Sequence, residues 1–315
     1  MAVQAIPSAI PAAPGRRRWR ATRIAYLYLL PVIVSAIIFY IIPFIYTLRI
    51  SFTDFSLYHF KEYGEVGLEN YRRVFSRGSE FLPVLRWTAS WMFLTSIFNV
   101  AGGMILALLL NHGGLRERNL YRTLLILPWA LPNVLLIQVW AGIYNTQGPL
   151  NLLIGKIGIE RINWLGDVTP ARAALLFTNL WLSYPFFMIV GLAALQSIPR
   201  ELYEVADMDG AGGWSRLVDI TMPFLIKAIT PLFITQLAFQ FNNAAIVYLL
   251  TQGKPIASPG AKYGSTDTLS TFAYKLMFEQ RLYGVSAAYS VVIFVFVAIF
   301  IVISALATKS LQETD

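Results

Sequence analysis

The 315-residue sequence predicts an all-α, polytopic membrane protein with six transmembrane helices. Three observations carry that reading. Hydrophobic residues make up 57% of the chain and charged residues 13%, against about 25% charged in a soluble domain. The apolar residues are gathered into blocks of about 20 or more, the length one helix needs to cross the hydrocarbon core. The blocks are nearly free of acids, bases and histidines. The predicted spans are 24–48, 87–111, 123–144, 173–195, 222–250 and 282–307, and by these boundaries Lys227 is the only Asp, Glu, Lys, Arg or His within a span.

The first span follows Arg16, Arg17, Arg18, Arg20 and Arg23. Such a cluster marks the cytoplasmic side, so residues 1–23 are expected to form a cytoplasmic basic tail. Residues 1–15, rich in Ala and Pro, are expected to be disordered. The apolar block is longer than a signal-peptide core of about 7–15 residues, and no small-residue cleavage site ends it. It is therefore expected to remain as a span. An even number of spans returns the C-terminal tail, 308–315, to the cytoplasm. The net charge of +8 is then a topology signal rather than a sign of nucleic-acid binding. Absence of cysteine excludes disulfides and thiolate metal sites. The two histidines, His59 and His112, fall in loops, which argues against a multi-histidine metal site.

Segment 49–86 is mixed in charge and should hold an interfacial helix near Leu68–Phe75. The third span carries Asn133 and Gln138, with Pro128 and Pro132 interrupting its hydrogen bonding. The fourth carries Asn179, Ser183 and Pro185, and the fifth Gln236, Gln240, Asn242 and Asn243. Segment 251–281 opens as a loop through Gly253, Pro255, Pro259, Gly260 and Gly264. It closes in a short amphipathic helix over Leu269–Phe278, lying on the bundle.

The near absence of acids, bases and histidines at membrane depth counts against a proton-coupled carrier. Energy is then expected from outside the bilayer. Gln236, Gln240 and Asn243 stand i, i+4, i+7 on one helical face, bordered by Phe239; Asn179 and Ser183 stand i, i+4. Neutral amides in hydrocarbon must face other helices or a wet cavity. Amides and aromatics without charge suit a neutral, hydroxyl-rich ligand such as a sugar. The same amides would also serve simply to bind helices together, and the residues alone leave both readings open.

The loop 196–221 between the fourth and fifth spans is expected on the cytoplasmic side. Pro199 suits a helix's first turn, and Glu201 and Glu204 favour its N-terminal end. Leu202, Ala206 and Val205 give it an apolar edge. Gly210, Gly212 and Gly213 permit a turn, and Ser215 is the expected N-cap of a second short helix ending before Pro223. Five acids, Glu201, Glu204, Asp207, Asp209 and Asp219, face two bases, Arg200 and Arg216. Acids on a short protruding helix suit a basic pocket on a partner protein.

The spacing Glu204-x-Ala206-x-x-Asp209-Gly210-Ala211, with Ile220 and Pro223 following, resembles the EAA loop of bacterial ABC importer permeases. The usual alanine after the Glu is Val205 here. Residues 124–132, 179–185, 239–243 and 264–276 are similar to the larger permease subunit of maltose/maltodextrin importers. The likeness runs from about residue 68 to the end and fits the compact six-span members of that family. It implies a type I ABC importer permease fold in a bacterial cytoplasmic (inner) membrane. In the family the sugar sits mid-membrane. By motif position its contacts would be Trp129, Asn133, Asn179, Leu182, Ser183, Phe186, Phe239, Gln240 and Asn243. Trp129 and Phe186 replace familiar tyrosines, Asn133 a serine, Ser183 a glycine and Gln240 an asparagine, which leaves the particular sugar open.

The resemblance also implies partners: a second homologous permease subunit, two ATPase subunits, an extracytoplasmic sugar-binding protein and an oligosaccharide, all around a lipid bilayer and without nucleic acid. Glu204, Ala206, Asp209, Gly210, Ala211, Ile220 and Pro223 would couple the chain to the ATPase. No G-x-x-x-x-G-K-[ST] phosphate loop is present. The chain is thus expected to be a transport subunit and not an enzyme, with no cofactor of its own and with ATP and Mg held on the ATPase subunits. Maltose or maltodextrin is the expected cargo. The alternatives are another sugar such as trehalose, or an ion-coupled secondary transporter.

Overall fold

The computed structural model describes the backbone of residues 15–112 and 114–313, and side chains over 26–112 and 114–306. The expected disorder of the first residues and the side chains of the arginine cluster lie outside the described residues, apart from the backbone of Gly15, which opens the first helix. The chain divides into two units, Met1–Arg49 and Ile50–Asp315. In the first, α1 (Gly15–Ala36) passes through a π-helical turn (Ile37–Ile41) into α2 (Ile42–Ile50).

The second unit contains α3 (Glu69–Phe75), α4 (Phe81–Asn111), α5 (Arg118–Ala130), α6 (Asn133–Ile143), α7 (Pro149–Gly155), α8 (Val168–Gln196), α9 (Arg200–Met208) and α10 (Gly213–Ser215). A second π turn (Arg216–Thr221) leads into α11 (Met222–Asn242), followed by α12 (Ala245–Thr251), α13 (Leu269–Phe278) and α14 (Tyr283–Glu313). Among the described residues, five helices are long and apolar enough to cross a membrane, and six if the bent pair α5–α6 forms one span.

Several boundaries differ from the sequence-based ones. The third predicted span, 123–144, is broken at Leu131–Pro132, where α5 and α6 meet at 94°. Leu131 is extended, as a residue before proline prefers. The fifth, 222–250, is broken at Asn243–Ala244. Helices α4 and α8 start several residues before 87 and 173, so Arg86 and Arg172, in addition to Lys227, lie on span helices. The predicted C-terminal tail is helical as far as Glu313. Short helices appear where expected, at Glu69–Phe75 and Leu269–Phe278.

Both π turns end two residues before a proline, Pro43 and Pro223. A proline lacks an N–H, and its ring collides with the carbonyl four residues back. In each case that carbonyl, of Phe39 or Asp219, lies inside the wide turn, which accommodates the clash by shifting the hydrogen-bond register.

Helices α4 and α8 run parallel and very close. A methyl group built on Gly103 would lie 2.5 Å from Phe187 Cβ, and one on Gly191 would lie 2.9 Å from Ala107 Cβ. Small residues at a membrane helix interface allow this approach, and dispersion contacts then hold the pair. Around it, Val74, Met92, Phe241, Phe272 and Tyr289 join α3, α4, α11, α13 and α14 in one apolar cluster.

At the end of the bundle where α4 and α8 begin, the loop before α13 is strapped down by buried polar groups. Trp87 Nε1 donates to Thr266 O at 3.0 Å. Arg172 donates through Nε and Nη2 to Ser265 O at 3.1 and 2.8 Å, with its guanidinium 4.2 Å above the Trp87 ring. Asp267 accepts from Lys275 Nζ at 2.8 Å and from Gly264 N at 2.7 Å. Thr268 and Thr271 form a reciprocal capping box that starts α13.

Candidate functional site

Two features stand apart: a cavity within the bundle and the acidic loop at the opposite end from the strap. The cavity has a volume of about 500 Å³. Both helix breaks open onto it. The α5–α6 break presents Trp129 and Asn133, and the break after α11 presents Asn243, Ala245 and Ile246. Helix α8 contributes Asn179, Leu182, Ser183, Phe186 and Phe187; helix α11 contributes Leu232, Thr235, Gln236 and Phe239. No Asp, Glu, Lys, Arg or His is among these lining residues.

Eight of the nine predicted sugar contacts are thus brought together: Trp129, Asn133, Asn179, Leu182, Ser183, Phe186, Phe239 and Asn243. The ninth, Gln240, is not on the wall. Its side chain is fully buried behind it, because it pairs with another amide: Gln240 Nε2 donates to Asn179 Oδ1 at 3.2 Å and Asn179 Nδ2 donates back to Gln240 Oε1 at 3.4 Å. Asn243 Nδ2 also donates to Gln240 Oε1, at 3.4 Å. Gln236, on the same predicted stripe, does reach the wall. The Trp129 and Phe186 rings lie 6.3 Å apart at 50°, with Trp129 51% and Phe239 62% exposed. Exposed rings and amide groups around a neutral cavity can stack on the C–H faces of a sugar and exchange hydrogen bonds with its hydroxyls.

Sequence reasoning passed over Ile137, Leu232 and Thr235, which no pattern marks, and Asn99 of α4. Asn99 Nδ2 donates to Asn179 Oδ1 at 2.9 Å from a fully buried position. Thr95 and Ser96 stand i−4 and i−3 from it, and all three are buried. That short polar stripe in an otherwise apolar stretch was the available signal. Gln138, flagged with the others, donates to Leu249 O at 3.4 Å and ties α6 to α12.

In the loop, α9 carries Glu204 on its exposed side, and Ala206 O accepts from Ala211 N at 2.8 Å across the turn. Gly210 has φ +71°, a left-handed conformation that favours glycine. Gly212 and Gly213 do not take positive φ: Gly212 is extended and Gly213 opens α10. Ser215 does not cap a helix. It sits inside the helical run and donates to Asp219 Oδ2 at 2.6 Å. Asp209 is exposed at the end of α9, and Asp207 pairs with Arg216. Tyr203 Oη and Thr221 Oγ1 share a hydrogen bond of 2.9 Å, and Ile220 packs with Leu195, Ile198 and Leu225. These contacts fasten α9 to the start of α11, where Pro223 is exposed. Leu202, Val205, Met208, Trp214 and Val218 add exposed apolar area beside the acids.

Residues 99–312 match the family described as "Binding-protein-dependent transport system inner membrane component". The galactooligosaccharides transport system permease protein of Bacillus subtilis (strain 168) is 36% identical over 290 residues, covering 90% of this chain and 68% of that protein. The maltose/maltodextrin transport system permease protein of Escherichia coli (strain K12) is 37% identical over 254 residues, covering 77% of this chain. The chain spans 49% of that relative's length. Among solved structures, a bacterial ABC transporter involved in import of the acidic polysaccharide alginate superposes with a TM-score of 0.78 over 93% of this chain and 99% of that one. At 23% identity that likeness speaks for the fold alone. With the helix order, the broken spans and the acidic loop, the chain belongs to the binding-protein-dependent transport system inner membrane component family, as a membrane-embedded transport subunit rather than an enzyme.

Proposed function

We propose that the chain is the permease subunit of an ATP-driven importer that moves a neutral oligosaccharide delivered by an external binding protein. Maltodextrin is the first candidate and a galactooligosaccharide the second. The observation that carries the cargo class is the uncharged cavity wall of amides and aromatic rings. An acidic sugar would call for arginines at such depth, and none lines it. The two sugars are those for which the relatives are named. Trp129, Asn133, Asn179, Leu182, Ser183, Phe186, Phe239 and Asn243 contact the sugar in this reading, and Gln240 supports them from behind.

The machine would pair this chain with a second permease and two ATPase subunits, with both termini cytoplasmic. ATP and Mg bind on those subunits. Closure of the ATPase dimer is passed through the 196–221 loop, chiefly through Glu204 and Gly210, into α11, and the cavity changes the side to which it opens. The experiment is uptake by cells carrying the whole importer. Excess unlabelled maltotriose or galactotriose should suppress uptake of the labelled neutral sugar, and an oligouronate should not. Equal suppression by the oligouronate would overturn the neutral-cargo reading.

A further inference from the structure

We infer that Asn99 is a positioning residue that holds the Asn179 amide in place at the cavity wall; the inference rests on the sugar-cavity reading above. Asn179 Oδ1 accepts from Asn99 Nδ2 at 2.9 Å and from Gln240 Nε2 at 3.2 Å, so both its lone pairs are filled. Its Nδ2 gives one hydrogen to Gln240 Oε1 at 3.4 Å. In this arrangement one N–H of Asn179 remains for the cavity. Asn243 gives one N–H to Gln240 Oε1 at 3.4 Å and retains its Oδ1 and a second N–H.

Asn179 and Gln240 alone form a reciprocal amide pair. Such a pair is equally satisfied with both amides turned round. Asn99 adds a third, fully buried amide, so Asn179 can turn only if Asn99 and Gln240 turn with it. The place of the Asn179 amide at the wall is thereby held before the sugar arrives, which is what preorganisation requires.

A purely adhesive role for Asn99 fits poorly. The α4–α8 pair is already held by close contacts at Gly103 and Gly191. Asn99 also leaves its own Oδ1 buried without a hydrogen-bond partner, a cost that an apolar residue of similar size would avoid. The amide therefore earns its place through Nδ2.

The test uses the complete importer reconstituted in proteoliposomes, with binding protein and maltotriose outside and ATP on the ATPase side. The quantity read is sugar moved per ATP hydrolysed. Asn99→Leu should lower that ratio at least fivefold while hydrolysis stays within about twofold of wild type. Asn99→Leu combined with Asn179→Leu should be no worse than Asn179→Leu alone, since both act through one network. Should Asn99→Leu fail to assemble, Asn99→Ser, too short to reach Asn179, carries the same expectation. An unchanged ratio with only the yield of complex reduced, or effects of the two substitutions that multiply, would overturn the positioning role. A wild-type complex that hydrolyses ATP but moves neither maltotriose nor galactotriose would sink the cargo reading, and this inference with it.

Discussion

At the scale of single residues, the polar groups of the spans divide into those that meet the cavity and those that hold the wall. Asn243 reaches the cavity at a helix break, and Gln240, three residues earlier, turns into the bundle. One-face periodicity marks both positions but cannot separate them. What separates them is a third helix: Gln240 finds a partner on α8, and pairing there offsets the cost of burying an amide. Asn243→Ala is expected to reduce sugar transport at least fivefold while membrane insertion stays normal. Uptake assays scaled to the amount of inserted protein check this, and unchanged uptake would restore the helix-binding reading of the amides. At Asp267 a buried carboxylate meets Lys275 at 2.8 Å. Both residues stand in a segment whose resemblance was evident, yet their pairing depends on how the loop folds back.

At the scale of elements, the spans' existence was legible in composition and their breaks only in part. Pro128 and Pro132 both signalled trouble in the third span. The chain breaks at Pro132 and keeps Pro128 inside α5. The break at Asn243–Ala244 has neither proline nor glycine to announce it; tertiary contacts of α12 with α6 and α8 replace the lost helical ones. Close approach of α4 and α8 depends on glycine. Gly103→Leu should therefore destabilise the bundle by roughly 1–3 kcal/mol or more, seen as a lower melting temperature of the detergent-solubilised protein; an unchanged melt would refute the tight contact. In the loop, Gly210 alone needs its conformational freedom. Gly210→Val should strain the turn by about 1–2 kcal/mol and reduce transport per assembled complex, while Gly213→Ala, at ordinary φ, should leave transport near wild type. A comparable loss from both substitutions would show that the turn's geometry is not the reason.

At the scale of the whole molecule, two features at different depths divide the work. The cavity, uncharged and bounded by two broken spans, is suited to a neutral cargo. The acidic loop is fastened by Tyr203–Thr221 and by Ile220 to α11, the helix that forms one wall of that cavity, and in the proposed mechanism it would move that helix. Motif spacing made the loop's first helix and its turn at Gly210 legible, because they are local in sequence, whereas the expected Ser215 cap was not found. The cavity was legible as a set of positions, whereas its depth and the role of Asn99 depend on contacts between residues about 80 apart. The most direct test of the joint account is uptake of labelled maltotriose by proteoliposomes holding this chain, its partner permease and the ATPase subunits. Uptake should require ATP on the ATPase side and binding protein on the other, and Glu204→Lys should abolish it while the cavity residues are untouched. Uptake that persists without ATP, or is driven by an ion gradient, or survives Glu204→Lys, would contradict the account.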